Sequence, residues 1–209
     1  MTKTTCRSIA KMGAKKSKEV LSREELDYIM DKTKLEEHIV KKWYVGFLRD
    51  YPNGKMTQET FYQMYQILFP GGSTEKFCYH VFRTFDTDHN GYIDFVEFLL
   101  AINITSSGTP EEKLKWVFKL YDVDGNGTIS QNEMTKVVQS MYDMLAPEES
   151  ETGERANEKA KEVFQQLDVN GDLVLSEDEF VRGCMINEGL KSLLTGLVVD
   201  NNQSEVKER

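Results

Sequence analysis

The sequence predicts an all-α protein of four helix–loop–helix units, arranged as two paired lobes with extra helices at each end. One twelve-residue loop pattern recurs, with copies starting at residues 49, 86, 122 and 168. Segments with apolar residues at helical spacing flank the copies. Hydrophobic residues make up 39% of the chain and charged residues 29%, which is typical of a soluble globular protein.

Charge and cysteine usage narrow the classes of function. The formal net charge is −9, yet residues 1–18 carry six basic and no acidic side chains. The acidic remainder argues against a nucleic-acid partner, whereas the basic segment suits either an anionic membrane surface or a solvated tail. Cys6, Cys78 and Cys184 are odd in number and scattered, which predicts free thiols in a reducing cytoplasm. No stretch reaches the ~20 apolar residues of a membrane span, and the first twenty residues lack the apolar core of a secretory signal.

Helix signals place the units along the chain. We expect a flexible basic segment at 1–18, an N-terminal lobe at 19–104, a C-terminal lobe at 105–196 and a flexible tail at 197–209. Capping-box spacing marks helix starts at Ser22, Thr33 and Thr109. The stretch APEESETGERANE at 146–158 reads as a helix-poor, exposed connector.

Loops 2 (86–97) and 3 (122–133) carry the residues that a hard cation requires. Ca²⁺ takes six to eight oxygen ligands, and both loops match the pattern D-x-[DN]-x-[DN]-G-x₅-E in full. Each has a glycine at its sixth position and an inward isoleucine at its eighth. Mg²⁺ at rest is an alternative occupant. The predicted ligands are Asp86, Asp88, Asn90, Tyr92 (carbonyl), Asp94 and Glu97 in loop 2, and Asp122, Asp124, Asn126, Thr128 (carbonyl), Ser130 and Glu133 in loop 3.

Loop 4 (168–179) has a full ligand set but the wrong turn residue. Leu173 stands where the turn needs a left-handed backbone, which costs a non-glycine residue about 1–2 kcal/mol. We expect a weakened, calcium-only site that fills last, with a silent loop as the alternative. Its ligands would be Asp168, Asn170, Asp172, Val174 (carbonyl), Ser176 and Glu179. Loop 1 (49–60) has Arg49, Tyr51 and Thr60 at key positions and is predicted to bind no ion.

The chain resembles the neuronal calcium sensor family, which includes recoverin, visinin-like proteins, frequenin and the guanylate cyclase-activating proteins. The matching segments are WYVGFLRDYPNG (43–54), HVFRTFDTDHNGYIDFVEF (80–98) and KLKWVFKLYDVDGNGTISQNE (113–133). The likeness covers about residues 20 to 196 and includes a disabled, proline-containing first loop. Two positions depart from the family pattern: Tyr51-Pro52 replaces the usual Cys-Pro, and Leu173 replaces glycine.

The resemblance implies an intracellular calcium sensor that exposes an apolar groove in its N-terminal lobe to a helix of a target, such as a receptor kinase, guanylate cyclase or channel. Ordinary core packing is the alternative reading of the same apolar residues. Carried over by position, the groove consists of Trp43, Phe47, Phe61, Met64, Tyr65, Leu68, Phe69, Phe98 and Ile102.

Many family members carry an N-terminal myristoyl group. Here the signal MGAKKS begins at Met12, so only a product that starts there would present Gly13 for acylation. We expect a cytoplasmic protein, and the acylated product would also associate reversibly with membranes.

An enzyme is not expected, because His38, His80 and His89 are far apart and no nucleophile or phosphate-binding motif occurs. His89 itself reads as a solvent-facing residue without a role. Two alternatives to a sensor remain at this point. One is a passive calcium buffer, and the other is a constitutive regulatory subunit of the calcineurin B type.

Overall fold

The computed structural model describes residues 21–68, 73–145 and 152–195, without the side chains of Leu68 and Thr152. These residues form ten helices and four short strands, which confirms the predicted all-α class. The chain divides into two compact units, residues 1–55 and 56–209, and each is described by itself. The predicted basic segment 1–18 and tail 197–209 lie outside the described residues.

The described part of the first unit is a pair of helices, α1 (Arg23–Thr33) and α2 (Glu37–Asp50). Ser22 caps α1 in the predicted capping box with Glu25. The buried face includes Leu26 and Ile29 of α1 together with Val40 and Phe47 of α2.

The predicted helix start at Thr33 is wrong. Thr33 is the last residue of α1, and its hydroxyl donates to the Ile29 carbonyl at 2.7 Å. The chain then turns at Lys34, which has a left-handed φ of 59°. Glu36 precedes α2 without a side-chain cap, so the spacing Thr33–Glu36 matches a capping box by coincidence.

The second unit contains the other eight helices and two minimal antiparallel sheets. The elements are β1 (Met56–Thr57), α3 (Gln58–Leu68), α4 (Glu75–Phe85), β2 (Tyr92–Ile93), α5 (Phe95–Ser107), α6 (Pro110–Tyr121), β3 (Thr128–Ser130), α7 (Gln131–Leu145), α8 (Thr152–Leu167), β4 (Val174–Ser176), α9 (Glu177–Ile186) and α10 (Glu188–Thr195). The predicted capping box at Thr109 is present and begins α6.

The two sheets join the loops in pairs. β1 pairs with β2 so that Met56 faces Ile93, and β3 pairs with β4 so that Ile129 faces Leu175. All four side chains are almost completely buried. The predicted inward position of each loop is therefore the point where two loops meet.

The acidic stretch 146–158 is not helix-poor throughout. α8 begins at Thr152 and includes its second half, because Ala156 and Ala160 lie on a buried face with Val163 and Leu167. α7 and α8 pack against each other, and α4 packs against both α6 and α7. The predicted division into lobes after residue 104 falls inside α5 and stays a prediction.

Candidate calcium sites

Loop 2 is folded around its first aspartate. Asp86 caps the end of α4 and is buried, and its two carboxylate oxygens accept from the amides of Asn90 at 3.0 Å and Gly91 at 2.9 Å. Glu97 lies in the first turn of α5 and folds back over the loop. One of its carboxylate oxygens, Oε1, accepts from the amides of Thr87 at 2.8 Å and Asp88 at 3.3 Å. The first and last ligands are thus held in place by the backbone of the loop itself.

Three carboxylates converge in loop 2. One oxygen from each of Asp86, Asp88 and Glu97 lies within 4.8 Å of the others. Two oxygens that share one Ca²⁺ at 2.3–2.6 Å are at most about 5 Å apart, so this spacing fits a bound ion. Burial raises the pKa of Glu97, and the nearby charge of Asp94 raises it further. A divalent cation would relieve that concentration of negative charge.

Loop 3 repeats the arrangement. Asp122 is buried at the end of α6 and accepts from the amides of Asn126 and Gly127, each at 3.0 Å. Glu133 closes the loop by accepting from the amides of Val123 at 2.9 Å and Asp124 at 3.2 Å. Oxygens of Asp122, Asp124 and Glu133 lie within 4.8 Å of one another.

The electrostatics of loop 3 differ from those of loop 2 in one respect. Burial raises the pKa of Glu133, but hydrogen bonds from Ser130, Asp124 and Val123 outweigh it and leave the pKa below its ordinary value. The carboxylate of Glu133 is therefore favoured in its charged form, which is the form that coordinates a cation.

Loop 4 keeps the fold of the other two, but its last ligand is held by fewer hydrogen bonds. Asp168 accepts from the amides of Gly171 at 2.9 Å and Leu173 at 3.2 Å, and Ser176 forms a capping box with Glu179. The Oε1 atom of Glu179 lacks the pair of amide hydrogen bonds that the equivalent oxygens of Glu97 and Glu133 accept in loops 2 and 3. The backbone of Asn170 still helps to lower the pKa of Glu179, so the contact is weakened and not absent. Within the described ranges no third cluster of three acids meets the 4.8 Å spacing.

All three loops use a left-handed backbone at the fourth and sixth positions. The φ angles are 57° and 86° at His89 and Gly91, 71° and 85° at Gly125 and Gly127, and 75° and 70° at Gly171 and Leu173. Gly171 and Leu173 both keep the left-handed conformation of the equivalent residues in loops 2 and 3. The neighbouring glycine therefore does not relieve the backbone strain at Leu173. His89 is exposed as expected, but its left-handed backbone was not predicted. The available signal was that loops 3 and 4 have glycine, Gly125 and Gly171, at the same fourth position.

The two ends of loop 1 have taken other roles. In the first unit, Arg49 is part of α2 and its guanidinium pairs with Asp50 at 3.1 Å. In the second unit, the hydroxyl of Thr57 accepts from the amide of Thr60 at 3.3 Å at the start of α3. Thr60 offers only a hydroxyl where loops 2 and 3 have glutamate.

The predicted groove residues are not equally accessible in this structure. Phe47, Phe61 and Tyr65 are buried, and the ring of Phe61 packs against Phe82 and Phe85. Trp43 is 44% exposed. Met64, Phe98 and Ile102 are half-buried, whereas the Leu68 side chain and Phe69 lie outside the described residues. The groove stays a prediction.

His80 is the one buried histidine among the described residues. It lies on α4 beside a cavity of about 710 Å³ that is lined also by Tyr79, Thr135 and Lys136. Its Nδ1 atom has no hydrogen-bond partner. Burial lowers its pKa to about 4, with smaller contributions from the charges of Arg83 and Lys136.

Paired helix–loop–helix units with converging carboxylates define an EF-hand protein. Two family models described as an EF-hand domain pair match residues 52–105 and 111–185. The acidic clusters of loops 2 and 3 fit Ca²⁺, as the sequence predicted. No helix in the described ranges is long and apolar enough to span a bilayer.

Curated relatives identify the family within this class. Human recoverin is 38% identical over 190 residues, which cover 88% of this chain and 93% of the relative. S-modulin of Aquarana catesbeiana is 35% identical over the same share of this chain and 92% of its own length. Neuronal calcium sensor 1 of Lymnaea stagnalis is 42% identical over 149 residues, which are 69% of this chain and 77% of that protein. The chain therefore belongs to the neuronal calcium sensor family, as the sequence resemblance predicted.

Proposed function

We propose that this protein is a calcium sensor that changes the accessibility of an apolar surface and so regulates a target protein. The observation that carries the proposal is the pair of three-carboxylate clusters in loops 2 and 3, each built at the junction of two helices. Asp86, Asp88 and Glu97 would hold one ion, and Asp122, Asp124 and Glu133 the other. When bound, Ca²⁺ supplies the charge that offsets the repulsion within each cluster.

The proposed switch also needs a connection between the ion sites and the apolar residues of α3. Loop 2 is joined to α3 through the β1–β2 pair, since Met56 faces Ile93 immediately before α3 begins. Phe61 and Tyr65 of α3 are buried in this structure and would have to become accessible in order to receive a target helix. A two-state change of this kind is driven by the higher affinity of calcium for one of the states.

A calcium buffer is the alternative that most needs a test. Buffer EF-hands bind the ion but barely open, so their apolar side chains keep the same environment. The chain has two tryptophans, and they sit in different environments: Trp43 is 44% exposed and Trp116 is 5% exposed. A Trp116→Phe variant isolates Trp43, and a Trp43→Phe variant isolates Trp116 as the matched control.

The sensor proposal predicts that calcium shifts the emission of Trp43 at the concentration that fills loops 2 and 3, and that Mg²⁺ does not reproduce the shift. Calcium-dependent retention on a phenyl column should follow the same titration and fall in Glu97→Gln. Occupied loops with unchanged Trp43 emission and no retention would favour a buffer. Co-purification with a fixed partner at low calcium would favour a constitutive subunit. Calcium-dependent capture followed by mass spectrometry would then identify the target, such as a receptor kinase, guanylate cyclase or channel.

Membrane association forms a separate part of the proposal. A product that starts at Met12 would present Gly13 for myristoylation, and the neighbouring lysines would add attraction to anionic lipid. One acyl chain alone gives only marginal binding, so both contributions are needed. Intact mass of the protein from its native cell tests this directly: the proposal requires a species that begins at Gly13 and carries a C14 acyl group. We propose no nucleic-acid partner, because the chain is acidic.

A further inference from the structure

Arg83 lies on the helix that precedes loop 2 and forms hydrogen bonds with the helix that precedes loop 3. It lies on α4, three residues before loop 2 begins at Asp86. Its guanidinium donates to the carbonyls of Lys119 at 3.0 Å, Leu120 at 2.9 Å and Asp122 at 2.9 Å. The first two belong to the last turn of α6, and the third is the first residue of loop 3.

These hydrogen bonds cap the C-terminal end of α6. The last carbonyls of a helix have no partner within the helix, and a cation near them is favoured by the helix dipole. The flat guanidinium can serve several acceptors at once, which a lysine ammonium on its flexible stem does less well. Burial lowers the pKa of Arg83, and the charges of Asp122, Glu133 and Asp124 act in the opposite direction. Its positive charge is therefore close enough to loop 3 to interact with these carboxylates, although its hydrogen bonds go to backbone carbonyls.

The same two helices are joined by a second contact. Phe85 of α4 packs edge-on against Trp116 of α6, with ring centroids 5.7 Å apart. Both contacts lie within three residues of Asp86, at the end of α4 that leads into loop 2. A shift of that end relative to α6 would have to break the bonds of Arg83 or carry the start of loop 3 with it.

We infer that Arg83 is a positioning residue that couples ion binding at loop 2 to ion binding at loop 3. The inference rests on the proposed function, since it requires both loops to bind calcium. The three bonds coexist in this structure with converged carboxylates in both loops. They therefore belong to the formed state of both sites, and the coupling is positive: filling one loop raises the affinity of the other.

The coupling is measured as a ratio of affinities in the full-length chain. Glu179→Gln removes loop 4 from the titration, and the affinity of loop 3 is compared with loop 2 intact and with loop 2 disabled by Glu97→Gln. The amides of Gly91 and Gly127, which donate to the first aspartate of each loop, report the two sites separately by NMR. Couplings between binding sites are typically about 5- to 150-fold. We expect roughly tenfold in the wild type and less than about twofold in Arg83→Met and Arg83→Lys.

The variants separate the possible roles of the side chain. Arg83→Lys keeps the positive charge near loop 3 but loses the flat guanidinium that donates to three carbonyls. Because it is the more conservative change, it shows whether an effect of Arg83→Met comes from misfolding. Arg182→Met is the matched control, because Arg182 is an exposed helical arginine paired with Asp178 at 2.8 Å, and its coupling should stay at the wild-type value. A readout without calcium is hydrogen exchange at the Asp122 amide, which donates to Phe118 and should exchange faster in Arg83→Met.

The outcomes are distinct. Faster exchange at Asp122 with wild-type coupling would make Arg83 a helix cap only and would overturn the inference. A ratio of loop 3 affinities near one in the wild type would also overturn the inference. The same holds if the Arg83 variants change the affinity of loop 3 by an equal factor with loop 2 intact and with loop 2 disabled. Calcium binding at neither loop would overturn the proposed function together with the inference, whereas normal binding with unchanged coupling in the variants overturns the inference alone.

Discussion

Replacing Leu173 by glycine should release strain that loop 4 carries in its turn. The residue holds a φ of 70° in a conformation that costs a non-glycine side chain about 1–2 kcal/mol. Its side chain is 74% exposed, so its loss removes little packing. Glycine loses more backbone entropy on folding, which costs about 0.5–1 kcal/mol. The net gain is then about 1 kcal/mol, or roughly fivefold in an equilibrium constant.

Where this gain is observed depends on when the turn forms. If loop 4 already has this turn without calcium, Leu173→Gly raises the free energy of unfolding of the calcium-free protein. If the turn forms only on binding, the same free energy appears as tighter calcium binding at loop 4. The sum of the two effects, about 1 kcal/mol, is the stability gained by the loaded form.

The assay combines urea denaturation with calorimetry in a Glu97→Gln, Glu133→Gln background, which weakens loops 2 and 3 so that the heat of loop 4 can be told apart by its dependence on Glu179. Leu173→Ala is the control, since it removes the exposed side chain but keeps the Cβ atom and hence the strain. A gain in Leu173→Ala equal to that in Leu173→Gly would refute the reasoning, as would no gain in either measurement. Loss of the calorimetric signal in Glu179→Gln identifies loop 4 as the source, and its absence from the start means the loop is silent.

Three further predictions follow from the same geometry. Glu97→Gln and Glu133→Gln should each lower the affinity of their own loop roughly 30- to 150-fold, because one charged ligand is lost from a closed cluster; calorimetry should then count one tight ion fewer in each variant, and an unchanged count would contradict the assignment. His89→Gly should stabilise loop 2 less than Leu173→Gly stabilises loop 4, since histidine tolerates the left-handed region better than leucine; comparison of urea midpoints checks the order. His80 has a pKa of about 4 in the folded protein, below its ordinary value, so it binds a proton less readily when folded. Its contribution to the free energy of unfolding is therefore full above pH 6.5 and falls by up to about 3 kcal/mol as the pH drops to 4. His80→Phe should remove this part of the pH dependence of the unfolding free energy, and an identical pH dependence in both proteins would refute the prediction.

The acidic clusters of loops 2 and 3 could be predicted from the sequence because they depend on spacing alone. A twelve-residue loop with a fixed backbone places its first and last carboxylates together wherever it occurs. The inward residue was predictable for the same reason, and Ile129 indeed faces Leu175 across the β3–β4 pair. The capping pattern failed at Thr33 because the same spacing also occurs at the end of a helix, where the hydroxyl bonds backward to Ile29.

The start of α8 was missed for a reason that the sequence itself could have corrected. Its acidic composition favoured an exposed connector, but Ala156, Ala160, Val163 and Leu167 recur at helical spacing and are buried. Small side chains make a weak hydrophobic stripe, so composition outweighed periodicity. Close packing of α8 on α7 is what small residues allow.

The contact between Arg83 and the end of α6 could not have been read from the sequence. Its three acceptors are backbone carbonyls 36 to 39 residues away, and a carbonyl leaves no mark on the identity of its residue. The predicted groove has the opposite problem. Phe61 has the sequence signature of an exposed stripe and of a core residue equally, because the proposed switch requires one side chain to be both. The proposed switch therefore predicts that Phe61, which is buried here, becomes more accessible as calcium fills loops 2 and 3, whereas a core residue would stay buried throughout the titration.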